Sequence, residues 1–467
     1  MPTKSRRSAD RLLPADPATR AVARELLESI ADAPIISPHG HVPASWLARD
    51  TAFTDPASLL ISHDHYITRL LHASGVPLEK LGVAGSPSDP REVWRAVCRH
   101  WHAFAGTASD FWMTDSLERV FGITEALDED SADRVFDVIN DALATPALRP
   151  RALFDSFGIE VLATTDDALD PLDDHTVLAA DPGFAGRVVP TFRPDPYLDP
   201  AAPDFTARVE RLVATGPTAG LTFRAYLDAL RSRRAYFVDH GAVSADHGVV
   251  EPYTCELDDA TAERLFQGAL ADTLDEASAR EFRGHMLWRM AQMSVDDGLV
   301  MTVHAGVHRN HHTPTFDRFG PDSGHDIPIR TEFTANLAPL LRSFGAAEGF
   351  HLVLFTIDES AYSRELAPLA GFYPSVYVGA PWWFLDAPDA MARYRAAVTE
   401  TAGFYRTSGF IDDTRAYLSI PARHDVARRA DASFLARLVV EGRVSESAAA
   451  RIMRDIVSTI PREVFKL

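Results

Sequence analysis

The stretch APIISPHGHVPASW, residues 33–46, sets a short apolar run against two histidines separated by one glycine. In a β-strand residues i and i+2 face the same way, so an extended chain here aims His39 and His41 together. With 18 histidines in 467 residues such triplets are expected by chance, and the chain holds two more, His63/His65 and His100/His102. The context separates them. His100 and His102 sit in a helical pattern and diverge by about 200° around the axis, so they cannot share a ligand. His63 and His65 flank Asp64 at the start of a helical segment, where helix capping accounts for the polarity.

Working outward, short β-branched or apolar runs ending in polar residues recur along the chain, as buried parallel strands do. They fall at Pro34 to Ser37, Ile159 to Thr165, Arg187 to Phe192, Ala235 to Val243, Leu299 to His304, Leu352 to Ile357, Val376 to Gly379 and Gly409 to Asp412. Amphipathic helical patterns separate most of them. In one, Phe282, Met286, Leu287, Met290 and Met293 form a single stripe that Gly298 can end before the next strand. Alternating strands and helices in this number predict a (β/α)8 TIM-type barrel rather than a doubly wound sheet. Residues 1–44 would supply an N-terminal helix and the first strand, 45–155 a helical insertion after strand one, and 156–467 the remainder of the barrel. Within the insertion, PREVWRAVCRHWHAF and DSADRVFDVINDAL read as helices.

Composition narrows the function. The charge balance, 46 Lys and Arg against 66 Asp and Glu, gives a net charge of −20, which argues against nucleic acid and anionic membranes as partners. A small anionic substrate would need local arginines. No run approaches the roughly 18 apolar residues of a membrane span. The first residues are basic but lead into a helix carrying Asp and Glu, without the apolar core of a signal peptide. Cys98 and Cys255 are far apart and form neither a disulfide framework nor a thiolate metal site. A cytoplasmic location is the expectation.

Sites of TIM barrels lie at the C-terminal ends of the strands. There His39 and His41 end strand one, His304 ends strand five, and Asp412 and Asp413 follow strand eight, which are suitable ligand types for one divalent metal. Arg193 follows strand three and has the fork to clamp a carboxylate. Asp166 and Asp167 are expected to cap the following helix and hold its loop, and Trp382 and Trp383 to form an apolar wall.

The chain resembles the uronate isomerases, a divergent branch of the amidohydrolase superfamily, along almost its whole length. The matching pieces, in order, are the His39-Gly40-His41 turn, DHYITR from Asp64, TTDD from Thr164, RPD from Arg193, SADHG from Ser244, HAGVHRN from His304, GPDSGHD from Gly320, WWF from Trp382, and DDTRAYLS followed by RHDVARR. The resemblance implies interconversion of an aldose uronate, D-glucuronate or D-galacturonate, with its ketose, D-fructuronate or D-tagaturonate. That chemistry moves a proton between C2 and C1 through an enediol. It needs an acid/base group, positive charge beside the enediolate oxygens and an anchor for the distal carboxylate.

Carried over to this chain, the resemblance implies that His39, His41 and Asp413 hold one divalent metal, zinc or alternatively manganese, with His304 as a further ligand or close neighbour. Tyr66 would transfer the proton; its ordinary pKa near 10 requires a cation. Arg415 would supply it, sharing a face with Asp413 in an extended Asp-x-Arg, and Asp413 would also shuttle protons. Arg193 would anchor the substrate carboxylate, with His65, Asp246, His247 and Trp382 as further substrate contacts. A homo-oligomer is implied as well. Three departures from the family pattern bear on substrate choice: His311 and His312, where asparagines are usual, and Asp358 at the end of strand six. The alternative is a metal-dependent hydrolase or decarboxylase of the same superfamily acting on another small carboxylate, which would leave Tyr66, Arg193 and Arg415 without a joint purpose.

Overall fold

A computed structural model describes residues 8–86 and 88–467; the basic start of the chain, residues 1–7, lies outside the described residues. The strands in chain order are β1 (Ile35–Ser37), β2 (Ile159–Ala163), β3 (Asp166–Asp167), β4 (Arg187–Val189), β5 (Thr191–Arg193), β6 (Ser244–Val249), β7 (Val300–Ala305), β8 (Val307–His308), β9 (Ile327–Pro328), β10 (Leu352–Thr356) and β11 (Val376–Val378). β8 and β9 form a small antiparallel pair, and the others are parallel. They form two runs, β1-β2-β4 and β3-β5-β6-β7-β10-β11. Because β3 prolongs β2 and β5 prolongs β4, the runs are successive arcs of one wall. Thr407 extends it by a parallel bridge to Val378, and the backbone N–H of His41 donates to the Thr414 carbonyl at 3.1 Å, bringing the last segment back to the first. The fold is a (β/α)8 barrel.

Both faces of the wall are covered, so central strands are apolar without alternation: all five residues of β10 and all six of β7 are buried. The helix Glu276–Asp297 buries Phe282, Met286, Leu287, Met290 and Met293 and ends at Gly298, whose φ of 81° is easily adopted only without a Cβ. Burying each such side chain is worth about 1.5–3 kcal/mol.

Two expected strands are corrected. Residues 235–239 close the helix Phe223–Asp239, begun by the Thr222 side chain accepting from Ala225 N–H and burying Phe223, Tyr226, Leu230 and Phe237 at helical spacing. The run at Ala235 to Val243 is therefore mostly helix, and the strand is the more polar SADHGV of β6. A short apolar run looks alike in a buried helix and a buried strand. Gly409 to Asp412 makes no strand either: Gly409 at φ 73° and Asp413 at φ 39° hold the backbone in the left-handed region, which a ladder cannot accommodate.

Among the described residues between β1 and β2 the regular elements are all helical, among them His65–Ala73, Pro90–His100, Ala108–Phe121 and Ala132–Leu143. Their own apolar cluster includes Trp94, Trp101, Phe104 and Phe136. Trp112 of Ala108–Phe121 packs behind Tyr66 and against Arg423 of the helix Ile420–Val440, and the segment lines the cavity described next through His63, Asp64, His65 and Tyr66.

Candidate active site

The C-terminal ends of the strands surround a cavity of about 530 Å³. Its wall includes His39, His41, His65, Tyr66, Arg193, Asp246, His304, Trp382, Asp413 and Arg415, brought from opposite ends of the sequence. The residues expected at the site from sequence are thus assembled in one place, apart from His247 and from Asp412, whose Oδ2 meets His424 Nε2 at 3.1 Å.

At the base, ligand atoms of His39, His304 and Asp413 all lie within 4.8 Å of one another, a group that could hold a metal ion. The rings of His39 and His304 stack at 4.8 Å. Asp413 Oδ1 is 3.4 Å from His39 Nε2 and 2.9 Å from His41 Nε2. His41 therefore borders the group through Asp413 rather than completing it. The donor set fits a cation on a further ground. Asp413 Oδ1, His304 Nε2 and His39 Nδ1 are buried without hydrogen-bond partners, a costly arrangement for polar atoms unless a ligand satisfies them.

Tyr66 occupies the first turn of the helix His65–Ala73, which Asp64 caps by accepting from the Tyr66 N–H at 2.9 Å. The cap fixes the backbone and leaves the flanking His63 and His65 facing the cavity. His65 stacks on Tyr66 at 5.0 Å and meets Trp383 at a tilt, 5.2 Å away. Burial drives its pKa down to about 3, with Arg415 adding to the effect, so it is a neutral imidazole. Burial also pushes the Tyr66 phenol far above its ordinary value; Arg423 opposes that shift, while Asp386, Asp413 and Asp64 add to it. Tyr66 is accordingly a neutral phenol in this structure.

The expectation for Arg415 is corrected. Asp413 is in the left-handed region, so Asp413-Thr414-Arg415 is not extended, and Arg415 pairs with Asp322 at 2.9 Å. The cation against Tyr66 is Arg423, whose guanidinium lies 5.2 Å from the Tyr66 ring and 3.5 Å from that of Trp112. Arg423 is fully buried and bonds Asp386 and the Ser419 hydroxyl. Sequence reasoning passed over it within RHDVARR, where nothing local sets one arginine of the helix apart from the rest.

Arg193 ends β5 with its Nε donating to Asp195 at 2.8 Å and Nη1 at 3.4 Å from Asp246. Asp195 also accepts from the Gly248 N–H at 3.1 Å. Asp195 was likewise missed, although it closes the RPD triplet. Trp382 packs edge-on against His304 at 4.7 Å and, with Trp383, walls the cavity.

Other readings fare differently. His247 is next to Asp246 on β6 and so faces the opposite way, fully buried with Nδ1 against the Thr302 carbonyl at 3.0 Å; it does not line the cavity. Nor do His311, His312 and Asp358. His311 Nδ1 meets the His325 carbonyl, and His312 Nδ1 meets Thr315 Oγ1 at 2.7 Å. Asp358 accepts from the Thr331 and Ser360 N–H groups at 3.0 and 3.1 Å, tying loops together. Asp166 and Asp167 cap no helix: the next one, Asp173–Ala180, starts after Leu172 without a side-chain cap. They hold the loop instead, Asp167 accepting from Leu169 N–H and Tyr197 O–H, and Asp166 from Thr164 O–H at 2.6 Å and Thr191 N–H at 3.1 Å.

Burial raises the Asp166 pKa to about 7, against the pull of those two hydrogen bonds. Between its ordinary 3.8 and about 7 the folded protein holds a proton that the unfolded chain releases. The resulting stability is fully present below about pH 4 and falls by about 1.4 kcal/mol per pH unit toward pH 7. Between about pH 4 and 7 the unfolding free energy of Asp166→Asn, measured in urea, should change with pH by about 1.4 kcal/mol per unit more positively than that of the unsubstituted chain.

The sequence profile of the glucuronate isomerase family matches residues 17–465. The chain is 51% identical over 469 residues to a uronate isomerase of Corynebacterium efficiens, covering all of both. Its fold matches the crystal structure of a glucuronate isomerase from Caulobacter crescentus with a TM-score of 0.96 and 47% identity, over 98% of this chain and 96% of that one. A uronate isomerase of Thermotoga maritima matches with a TM-score of 0.92 at 25% identity, over 98% and 99%. With the cavity, the barrel and nearly the whole length in agreement, the chain belongs to the glucuronate isomerase family.

Proposed function

We propose that this chain is a uronate isomerase that interconverts D-glucuronate or D-galacturonate with the corresponding ketose by proton transfer through an enediol. The observation that carries the reading is the convergence, in one cavity, of the metal-capable group, a half-buried phenol and a half-buried arginine held by two carboxylates. Relatives at about half identity over the full length are named uronate isomerases, which disfavours the hydrolase or decarboxylase alternative.

Each group has a separable task. Arg193, held by Asp195 and Asp246, binds the substrate carboxylate and fixes which end of the sugar reaches the cavity base. Tyr66 carries the proton between C2 and C1, with Arg423 as the fixed cation behind its ring. Asp413 lies where it can pass a proton between the sugar oxygens. Neutral His65 offers a hydrogen bond to a hydroxyl, and Trp382 and Trp383 keep water from the enediol. His39, His304 and Asp413, with His41 beside them, would hold one divalent metal, zinc by our reading and manganese as the alternative. When bound, the metal adds positive charge that favours the enediolate and the tyrosinate.

The carboxylate anchor makes a specific demand on Gly248. A Cβ there would sit 2.8 Å from Arg193 Nη2 and 3.0 Å from Asp195 Oδ2. Gly248→Ala should displace the guanidinium and raise KM about tenfold, equivalent to about 1.4 kcal/mol, with a smaller change in kcat. Steady-state kinetics on the preferred uronate check this.

Incubating the zinc-loaded protein with each uronate and following ketose formation by chromatography tests the assignment. Ketose is expected from at least one of them, and carbon dioxide release without ketose would oppose the reading. A homo-oligomeric, cytoplasmic enzyme completes the proposal, with sedimentation and cell fractionation as the checks. Among the described residues no helix is long and apolar enough to cross a membrane.

A further inference from the structure

Asp246 is fully buried on β6, paired in register with Thr302 on β7. Its Oδ1 accepts from the Thr302 hydroxyl at 2.7 Å and from His304 Nδ1 at 2.6 Å. Its Oδ2 makes no hydrogen bond and faces Arg193 Nη1 at 3.4 Å. From sequence this residue either contacts sugar hydroxyls or positions the site. The geometry opposes the contact: Oδ1 has both of its acceptor positions committed to protein donors, and Oδ2 is enclosed beside the guanidinium.

We infer that Asp246 is a positioning residue for the metal site, fixing His304 with its proton on Nδ1 and its Nε2 bare among His39 and Asp413. A neutral imidazole carries one N–H, and an ionised carboxylate can only accept. An oxygen 2.6 Å from Nδ1 therefore places the proton on that nitrogen and leaves the lone pair on Nε2, a buried atom without a hydrogen-bond partner. The carboxylate also holds the ring orientation and makes Nε2 a stronger donor to a cation. Because Asp246 faces Arg193 as well, one carboxylate stands between the histidine at the cavity base and the anchor for the sugar acid. The inference rests on the metal reading above.

Asp246→Asn keeps the shape but removes the charge, and its amide can turn its NH2 toward Nδ1, moving the imidazole proton to Nε2. In the metal-stripped full-length protein, titrated with zinc against a chromophoric chelator, this substitution should raise the zinc Kd by about 10–100-fold. A zinc Kd within about twofold of the unsubstituted protein overturns the inference. Zinc uptake that Asp413→Ala leaves unchanged would instead overturn the metal reading itself, and the inference with it. A second measurement needs no folded variant: long-range proton–nitrogen correlation spectra of the metal-free protein labelled in histidine. They should show the Nδ1 of His304 carrying a proton, and a bare Nδ1 contradicts the assignment.

Discussion

Tyr66→Phe is expected to lower kcat by about 10²- to 10⁴-fold, the range supplied by one positioned acid/base group, while the affinity for the uronate changes by less than about threefold. The substitution removes one oxygen and keeps the ring that packs against His65 and Trp112, so fold and cavity shape should persist. Isothermal titration with the uronate, set beside turnover, separates the two effects. Loss of binding in proportion to turnover would make Tyr66 a substrate contact, and undiminished turnover would remove it from the chemistry. Since Arg423 is the cation behind the ring and Arg415 is engaged with Asp322, the pH profile of the unsubstituted enzyme should respond to Arg423→Lys more than to Arg415→Lys.

Arg193→Gln should lower kcat/KM by about 10²- to 10⁴-fold, since each hydrogen bond to a charged group is worth about 1.5–3 kcal/mol and the guanidinium can offer two to the substrate. The loss should be specific to acids. Weak turnover of a neutral aldose of the same stereochemistry should change far less, collapsing the preference for the uronate. Asp195 and Asp246 would lose their shared cation, so a lower melting temperature is expected as well, and calorimetry separates that from the kinetic effect. An unchanged preference for the acid would move the anchor elsewhere, with Arg309, which lines the same cavity, the next residue to substitute.

Much of this site was legible before the structure because strand geometry is strict. Strand ends in a barrel converge, so His304 on β7 and Arg193 at the end of β5 follow from their positions in the rhythm, whereas His39 and His41 lie beyond the end of β1 and meet through Asp413, itself outside any strand. What stayed hidden depends on backbone detail or long-range packing. The fourth strand was misplaced because the aromatic run at Tyr236 and Phe237 ends a buried helix, whereas β6 owes its polar sequence to groups pointing into the cavity and the wall. Asp413 does not share a face with Arg415 because a left-handed residue interrupts the segment. Arg423 lies on a helix whose sequence holds several arginines, and only the packing of Trp112 from the insertion shows which one reaches Tyr66. Asp246 lay in the quoted SADHG motif, yet its role depends on Thr302 and His304 on the adjacent strand.

The central claim is that a protein-held proton moves between C2 and C1 of a uronate. Proton NMR of the zinc-loaded enzyme with D-glucuronate, then D-galacturonate, in deuterated water tests it most directly, followed until the equilibrium has been crossed many times. The account predicts ketose signals from at least one sugar, with deuterium entering the C1 position as the Tyr66 hydroxyl exchanges with solvent. No ketose from either sugar, or ketose that never acquires deuterium at C1, would contradict it.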